Sequence, residues 1–432
     1  MSGLIDLGAG EAAAAVRSGE ISSVELVTAS LVRIAATDAA LEAWVTIDAE
    51  GALAVASARD ADLAAGRSVG PLHGVPIGIK DIIDVAGMRT TAGAADFAHT
   101  RPTHDATLVA RLRAAGAVIL GKTVATEFAF KDPASTRNPW SAAHTPGGSS
   151  SGSGAAVAAR QVPAAIGTQT VGSILRPAAY CGVVGLKGAY GAVPLDGVLP
   201  LARSFDHAGP IARSVADAVL LEGVLEGRPL RVPNMDAPRL GVSRALLERA
   251  EPILREHLEA TIVRFADDGA RVVEVELPAS FGGILAAGRA ILELEAAAVH
   301  QAMFAAHEED YGPGIAELVR AGLSRPVTDL AAAERARSAF RQDVVPMLYA
   351  VDALLSPVAP GPAPLRRDGT GDFTFCAPWS FIGAPAVSIP TGLDEAGLPL
   401  AVQLVGGPAG LARLLGAAAW GERLVGFEAR PT

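Results

Sequence analysis

Apolar residues recur at helical spacing through positions 5–65, with a polar start at Ser22-Ser23-Val24-Glu25, and predict helices there. The period then shortens to two. Val75, Ile77 and Ile79 alternate along 74–86, with Ile82, Ile83 and Val85 following, and predict a strand. A helix is expected over 105–115, and Ala117-Val118-Ile119-Leu120 reads as a short buried strand. Residues 132–153, rich in Pro, Asn, Ser and Thr, read as loop until Gly154-Ala155-Ala156-Val157-Ala158-Ala159 opens a helix. Helix and strand keep alternating to about 225. The stretch 243–350 is mostly helical, with one strand-like run at 271–275, and strands return at 353–357, 386–390 and 400–404.

Such alternation predicts an α/β fold, a sheet sandwiched by helices. The chain reads as a single domain over 1–432, with 243–350 as a helical insertion that walls a pocket. Pro229, Pro233 and Pro238 mark the loop between the lobes.

Half of the residues are hydrophobic and 19% are charged, so a large core is easily built. The net charge of −10 and the lack of any basic run argue against a nucleic-acid surface. No apolar run reaches the roughly 18–20 residues of a membrane helix. The start, Met1-Ser2-Gly3-Leu4-Ile5-Asp6, lacks the basic and apolar regions of a secretory leader, which leaves a cytoplasmic location as the expectation. Cys181 and Cys376 have no metal spacing and read as core thiols.

Only four of the 36 basic residues are lysines: Lys80, Lys122, Lys131 and Lys187. Arginine keeps its proton in a protein, whereas a buried lysine can lose it. Lys80 ends an apolar strand, which suits burial; the plain alternative is a salt bridge with Asp81. Two serine-bearing loops follow it. The first is Pro146-Gly147-Gly148-Ser149-Ser150-Ser151-Gly152-Ser153-Gly154, and the second is Gly167-Thr168-Gln169-Thr170-Val171-Gly172-Ser173. The backbone N–H groups of Thr170, Val171 and Gly172 are placed to converge on an oxyanion beside Ser173. Lys122 and Lys187 are expected to support loops through carbonyl contacts.

In combination, Gly147-Gly148-Ser149-Ser150, Gly167 through Ser173, and Lys80 within Gly74-Val75-Pro76-Ile77-Gly78-Ile79-Lys80-Asp81 resemble the amidase signature family. The likeness extends to Gly182-Val183-Val184-Gly185-Leu186-Lys187, Ser204-Phe205-Asp206-His207-Ala208-Gly209-Pro210 and Gly383-Ala384-Pro385-Ala386-Val387, and covers roughly 10 to 425. It implies a mixed, twisted sheet covered by helices on both faces. It also implies a catalytic trio of Ser173 as nucleophile, Ser149 as bridging cis serine and Lys80 as base. The substrate would be a small linear amide, with no metal or organic cofactor and a homodimer as the assembly. Phe128, Ala129 and Arg176 are the candidate substrate contacts. An amidase-like glutaminase component of a tRNA-dependent amidotransferase complex is the alternative.

The chain departs from the family pattern in two places. Gln169-Thr170-Val171-Gly172-Ser173 stands where Asp-Thr-Gly-Gly-Ser is common, so position 171 must avoid positive φ or carry strain. The common arginine two residues past the nucleophile is Leu175, with Arg176 one later, a change of phase expected to aim the guanidinium elsewhere. Two pattern matches are decoys. Gly116 to Thr123 fits a phosphate-loop expression, but its middle residues are themselves the apolar strand. Gly148-Ser149-Ser150-Ser151-Gly152 fits a nucleophile elbow with Ser150 as nucleophile and His207 as base, but no strand precedes it.

Overall fold

The computed structural model describes residues 3–67 and 70–431. Met1 and Ser2, part of the segment read for a leader, lie outside them. Among the described residues, eleven strands form one sheet. They are β1 (Trp44–Ile47), β2 (Pro76–Lys80), β3 (Val118–Thr123), β4 (Ala164–Gln169), β5 (Val184–Lys187) and β6 (His207–Ala212). Then come β7 (Arg239–Val242), β8 (Arg271–Glu274), β9 (Ala353–Pro357), β10 (Ala386–Leu393) and β11 (Pro399–Val405). Their spatial order is β1-β3-β2-β4-β6-β5-β10-β11-β9-β7-β8. The sheet is mixed: β2 runs parallel to β3 and β4, whereas β4–β6, β5–β10 and β10–β11 are antiparallel.

The helices are α1 (Ala9–Ser18), α2 (Ser23–Leu41), α3 (Ala49–Ala64), α4 (Thr107–Ala114), α5 (Ser151–Ala158), α6 (Leu175–Cys181) and α7 (Val215–Glu226). The second half adds α8 (Arg244–Leu247), α9 (Pro252–Asp267), α10 (Phe281–His307), α11 (Pro313–Ser324), α12 (Thr328–Tyr349), α13 (Ala377–Phe381) and α14 (Leu411–Val425). No helix among the described residues is long and apolar enough to cross a membrane.

Successive side chains of a strand project to opposite faces, and the two hydrophobic cores follow that rule. Val118 and Leu120 of β3, Ala165 of β4 and Ile211 of β6 join one core with residues of α2, α3 and α5. Their neighbours Ile119, Ala164, Ile166 and Ala212 join the other, with α1, α4, α7, α10 and α14. Strands buried on both faces read as continuous apolar runs, and β2, Pro-Ile-Gly-Ile-Lys, is buried at every position.

The predicted polar start at Ser22 is a reciprocal cap on α2. Its hydroxyl accepts from Glu25 N at 3.1 Å, and the Glu25 carboxylate accepts from Ser22 N at 2.8 Å. Replacing Ser22 by alanine removes about 1 kcal/mol of helix stability.

The pattern differs from the structure in three places. A four-residue strand, β1, interrupts the helical run 5–65. β2 stops at Lys80, because Ile83 N donates to Lys80 O at 3.0 Å and closes a turn. α5 starts at Ser151, three residues earlier than 154. There Ser151 Oγ donates to Gly147 O at 2.6 Å and Ser153 Oγ to Ile166 O at 3.2 Å, so serines read as loop have partners within a helix.

Candidate active site

Because β3, β2 and β4 are parallel neighbours, their carboxyl ends open on one edge, where α/β sheets place their ligands. Lys80 is the last residue of β2, and the loop carrying Thr170 to Ser173 leaves β4. The first serine loop is tied to both neighbours. Ser150 N donates to Ser173 O at 3.3 Å, and Thr126 N, beyond β3, donates to Ser149 O at 3.1 Å.

Lys80 is wholly buried. Its Nζ lies 2.6 Å from Ser149 Oγ and 2.7 Å from Thr168 Oγ1, with Thr168 O at 3.5 Å. Burial drives its proton affinity well below the ordinary lysine range, against the pull of the Asp206 charge. Asp81 is not its partner. Projecting from the opposite face of the strand, Asp81 Oδ1 sits 2.9 Å from Lys122 Nζ, both side chains fully buried. Asp81 Oδ2 accepts from Thr91 N at 3.0 Å. The lysine in the phosphate-loop decoy is therefore one half of a buried ion pair between β3 and the residue after β2.

The Gly148–Ser149 peptide is cis. A side chain on Gly148 would meet Thr370 Cγ2 at 2.9 Å, and one on Gly147, held at φ 80°, would meet Pro177 Cα at 2.8 Å. Glycine is what lets this loop lie against α6. Ser150 turns away from the edge: its hydroxyl donates to Thr168 O and accepts from Thr168 N, each at 3.2 Å. The elbow's other half is spoken for too, since His207 contacts Lys187 Nζ at 3.4 Å and Phe205 O at 2.5 Å.

Around Ser173 the backbone is short of acceptors. Among the described residues, the N–H groups of Thr170, Val171, Gly172 and Ser173 donate to no protein acceptor, whereas Ile174 N and Leu175 N both donate to Gln169 Oε1 at 3.0 and 3.1 Å. Buried N–H groups are paired as a rule, so a run of unpaired ones marks a place prepared for a ligand oxygen. Val171 is absent from the positive-φ residues, so valine fits its backbone without strain. Gln169 accepts through its carbonyl oxygen and spends its amide on Ser380 Oγ at 3.1 Å. The Ser173 hydroxyl carries no hydrogen bond among the described residues; it is the one link toward Lys80 that this resting geometry leaves open.

Arg176 bends back toward the first loop despite its shifted phase. Its Nη2 donates to Gly148 O at 2.7 Å, while Nε and Nη1 are buried with no partner. Phe128 lies deeper, stacked on Tyr311 at 5.1 Å and edge-on to His300 at 4.7 Å. Phe128 and Ala129 adopt φ of 45° and 61°, a left-handed pair held by Phe128 N to Ala92 O at 2.8 Å. The helical segment 243–350 meets the chain beyond β3 at the start of α11: Gly312 N donates to Glu127 Oε2, and Gly314 N to Asp132 Oδ1.

Lys187 donates to Gly188 O at 3.4 Å and Ala384 O at 2.5 Å, and Lys122 to Arg89 O at 3.3 Å and Thr90 Oγ1 at 3.0 Å beside its ion pair with Asp81. Cys181 and Cys376 are buried, and burial pushes both thiols up, Cys376 to about 12. Two residues at this edge escaped the sequence reading: Thr168 against Lys80, and Asp206 against Thr170. For Thr168 the signal was a polar residue closing an apolar strand; Asp206 lay within the family-like run 204–210, but nothing there pointed to Thr170, 36 positions away.

A family model described as Amidase matches residues 25–415. The chain is similar to a glutamyl-tRNA(Gln) amidotransferase subunit from Geobacter metallireducens, 36% identical over 96% of each chain. Among solved structures it is similar to an amidase, with 34% identity and a TM-score of 0.91 over 96% of this chain and 99% of that one. It is also similar to the native peptide amidase of Stenotrophomonas maltophilia, with 33% identity and a TM-score of 0.85 over 98% of both.

Proposed function

The chain belongs to the amidase family, an enzyme acting on amide C–N bonds, and from that premise we propose a free-standing hydrolase of a small linear carboxylic amide. It releases the acid and ammonia or an amine, working in the cytoplasm as a homodimer that needs no other protein. The observation that carries this reading is a buried lysine in contact with a serine hydroxyl and with no carboxylate. Neutral Lys80 takes the Ser149 proton as Ser149 takes that of Ser173, and Ser173 Oγ attacks the amide carbonyl. The oxyanion receives N–H groups from Thr170, Val171 and Gly172; each such donor accounts for about 10²–10³ in rate. Collapse of the tetrahedral intermediate breaks the C–N bond, and the relay returns its proton to the departing nitrogen. Water attacks the acyl-enzyme by the same relay in reverse.

Arg176 keeps two N–H groups for a polar group of the substrate, and Phe128 and Ala129 belong to the opposite wall in this proposal. The second reading, release of ammonia from glutamine for a partner enzyme, is favoured by the similarity to the amidotransferase component. A panel of aliphatic, aryl, amino-acid and carboxylated-urea amides, assayed for ammonia release with the purified chain alone, separates the two. Turnover of a small amide that disappears in Ser173→Ala is expected. Glutamine hydrolysis appearing only with added amidotransferase partners overturns the proposal.

A further inference from the structure

Asp206 immediately precedes β6, and the antiparallel register that pairs Gln169 with His207 sets it across from Thr170, the first residue of the nucleophile loop. Thr170 Oγ1 donates to Asp206 Oδ1 at 2.6 Å. The other carboxylate oxygen accepts from Leu201 N at 2.9 Å and Ala202 N at 3.1 Å. Three donors thus fix one carboxyl group, and through the Thr170 hydroxyl that group fixes the loop whose N–H groups have no protein partner among the described residues. Asp206 also lines a cavity of about 270 Å³ with Tyr190, Pro194, Leu195 and Arg203.

We propose that Asp206 is a positioning residue for amide hydrolysis, holding the oxyanion-binding backbone through the Thr170 hydroxyl and standing as the counter-charge to the Lys80 ammonium. The proposal rests on the serine–lysine reading above. Its chemistry is consistent with the surroundings. Burial raises the Asp206 carboxyl to about 6, opposed by the Thr170, Leu201 and Ala202 hydrogen bonds, and Glu295 of α10 raises it further. The other titratable groups around it are Lys80 at the end of β2, Arg203 in the cavity wall, His207 beside it, which burial holds well below the ordinary histidine range, and Arg337 of α12, which donates to Ser204 O at 3.1 Å. The Asp206 charge resists the discharge of Lys80. Above about pH 6 it is an anion and accepts the Thr170 hydrogen bond at full strength.

The test is kcat and the pH profile of kcat/KM for Asp206→Asn, Thr170→Val and Thr170→Ser, each expressed per Ser173 labelled by a fluorophosphonate. That normalisation removes misfolded protein. Asp206→Asn and Thr170→Val should each lower kcat roughly 10- to 100-fold, less than direct removal of an oxyanion donor, with little change in KM. Their double variant should fall no further than the worse single one, and Thr170→Ser should recover most of the loss. Asp206→Asn should also move the ascending limb of kcat/KM to lower pH, because Lys80 then discharges more easily. If Asp206→Asn does not fold, the Thr170 pair decides the matter. Wild-type kcat in Thr170→Val, multiplicative losses in the double variant, or an unmoved limb in folded Asp206→Asn would overturn the proposal. Turnover surviving in Ser173→Ala would instead sink the serine–lysine reading, and this proposal with it.

Discussion

Lys80 and Lys122 sit near the ends of adjacent parallel strands, paired as Ile79 with Lys122 and Lys80 with Thr123, and both are wholly buried. Their partners differ. Lys122 meets a carboxylate at 2.9 Å beside the Thr90 hydroxyl at 3.0 Å and Arg89 O at 3.3 Å; Lys80 meets two hydroxyls and a carbonyl and touches no carboxylate. Burial lowers both, but for Lys122 the Asp81 charge and hydrogen bond oppose it at contact, whereas Lys80 feels only a more distant Asp206 and falls further. Adjacent strand ends therefore hold one lysine paired with a carboxylate and one whose proton affinity burial drives well down. Burial lowers a lysine's proton affinity, and a touching carboxylate opposes that fall.

The sharpest way to break the contrast is to make Lys80 undischargeable. Lys80→Arg should lower turnover about 10⁴-fold, since a guanidinium keeps its proton and leaves only binding and the oxyanion site at work. Steady-state ammonia release measures it. The matching attack on the other lysine is a stability experiment. Asp81→Asn strands the buried Lys122 ammonium and should cost about 3–5 kcal/mol in denaturant unfolding, with Asp81→Asn/Lys122→Met recovering a good part.

Glu422 tests the rule with the sign reversed. It is a mostly buried carboxyl whose Oε1 accepts from Val215 N at 2.8 Å, and burial raises it from 4.5 to about 7. The folded state then binds this proton more tightly than the unfolded chain. Its contribution is fully present below pH 4.5 and is lost as pH rises through 7. Glu422→Gln should match wild type in the acid range and exceed it by about 3 kcal/mol at pH 8. The smallest effect belongs to Ser150→Ala. It removes a hydroxyl that only braces Thr168, and should cost about 1 kcal/mol of stability while leaving Ser173 as the labelled residue.

The long periodic elements and the serine loops were legible in the chain, because two-face burial writes continuous apolar runs and glycine writes close approach. The 353–357 strand matches β9 residue for residue. β1 was hidden because its outward residues Val45 and Ile47 are apolar and its inward Thr46 is polar, so residue type does not follow the alternating burial. Residues 82–85 misled for the opposite reason: Ile82, Ile83 and Val85 are buried yet leave the sheet, with Ile83 bridging Val198. Within the site, identities were readable and pairings were not. Asp81 follows Lys80 in sequence but points to Lys122, and Asp206 reaches Thr170 only because β6 lies along β4. The return of Arg176 to Gly148 O was likewise invisible, since the helix turn, not the residue count, aims the guanidinium.

The account turns on whether a neutral Lys80 activates Ser173, and the rate of fluorophosphonate labelling against pH reads that step directly. In wild type, labelling should fall on Ser173 and rise along one limb centred below the ordinary lysine value of about 10.4. In Lys80→Met it should be slow and the limb should vanish. Label on Ser150, or the same limb in the variant, would contradict it.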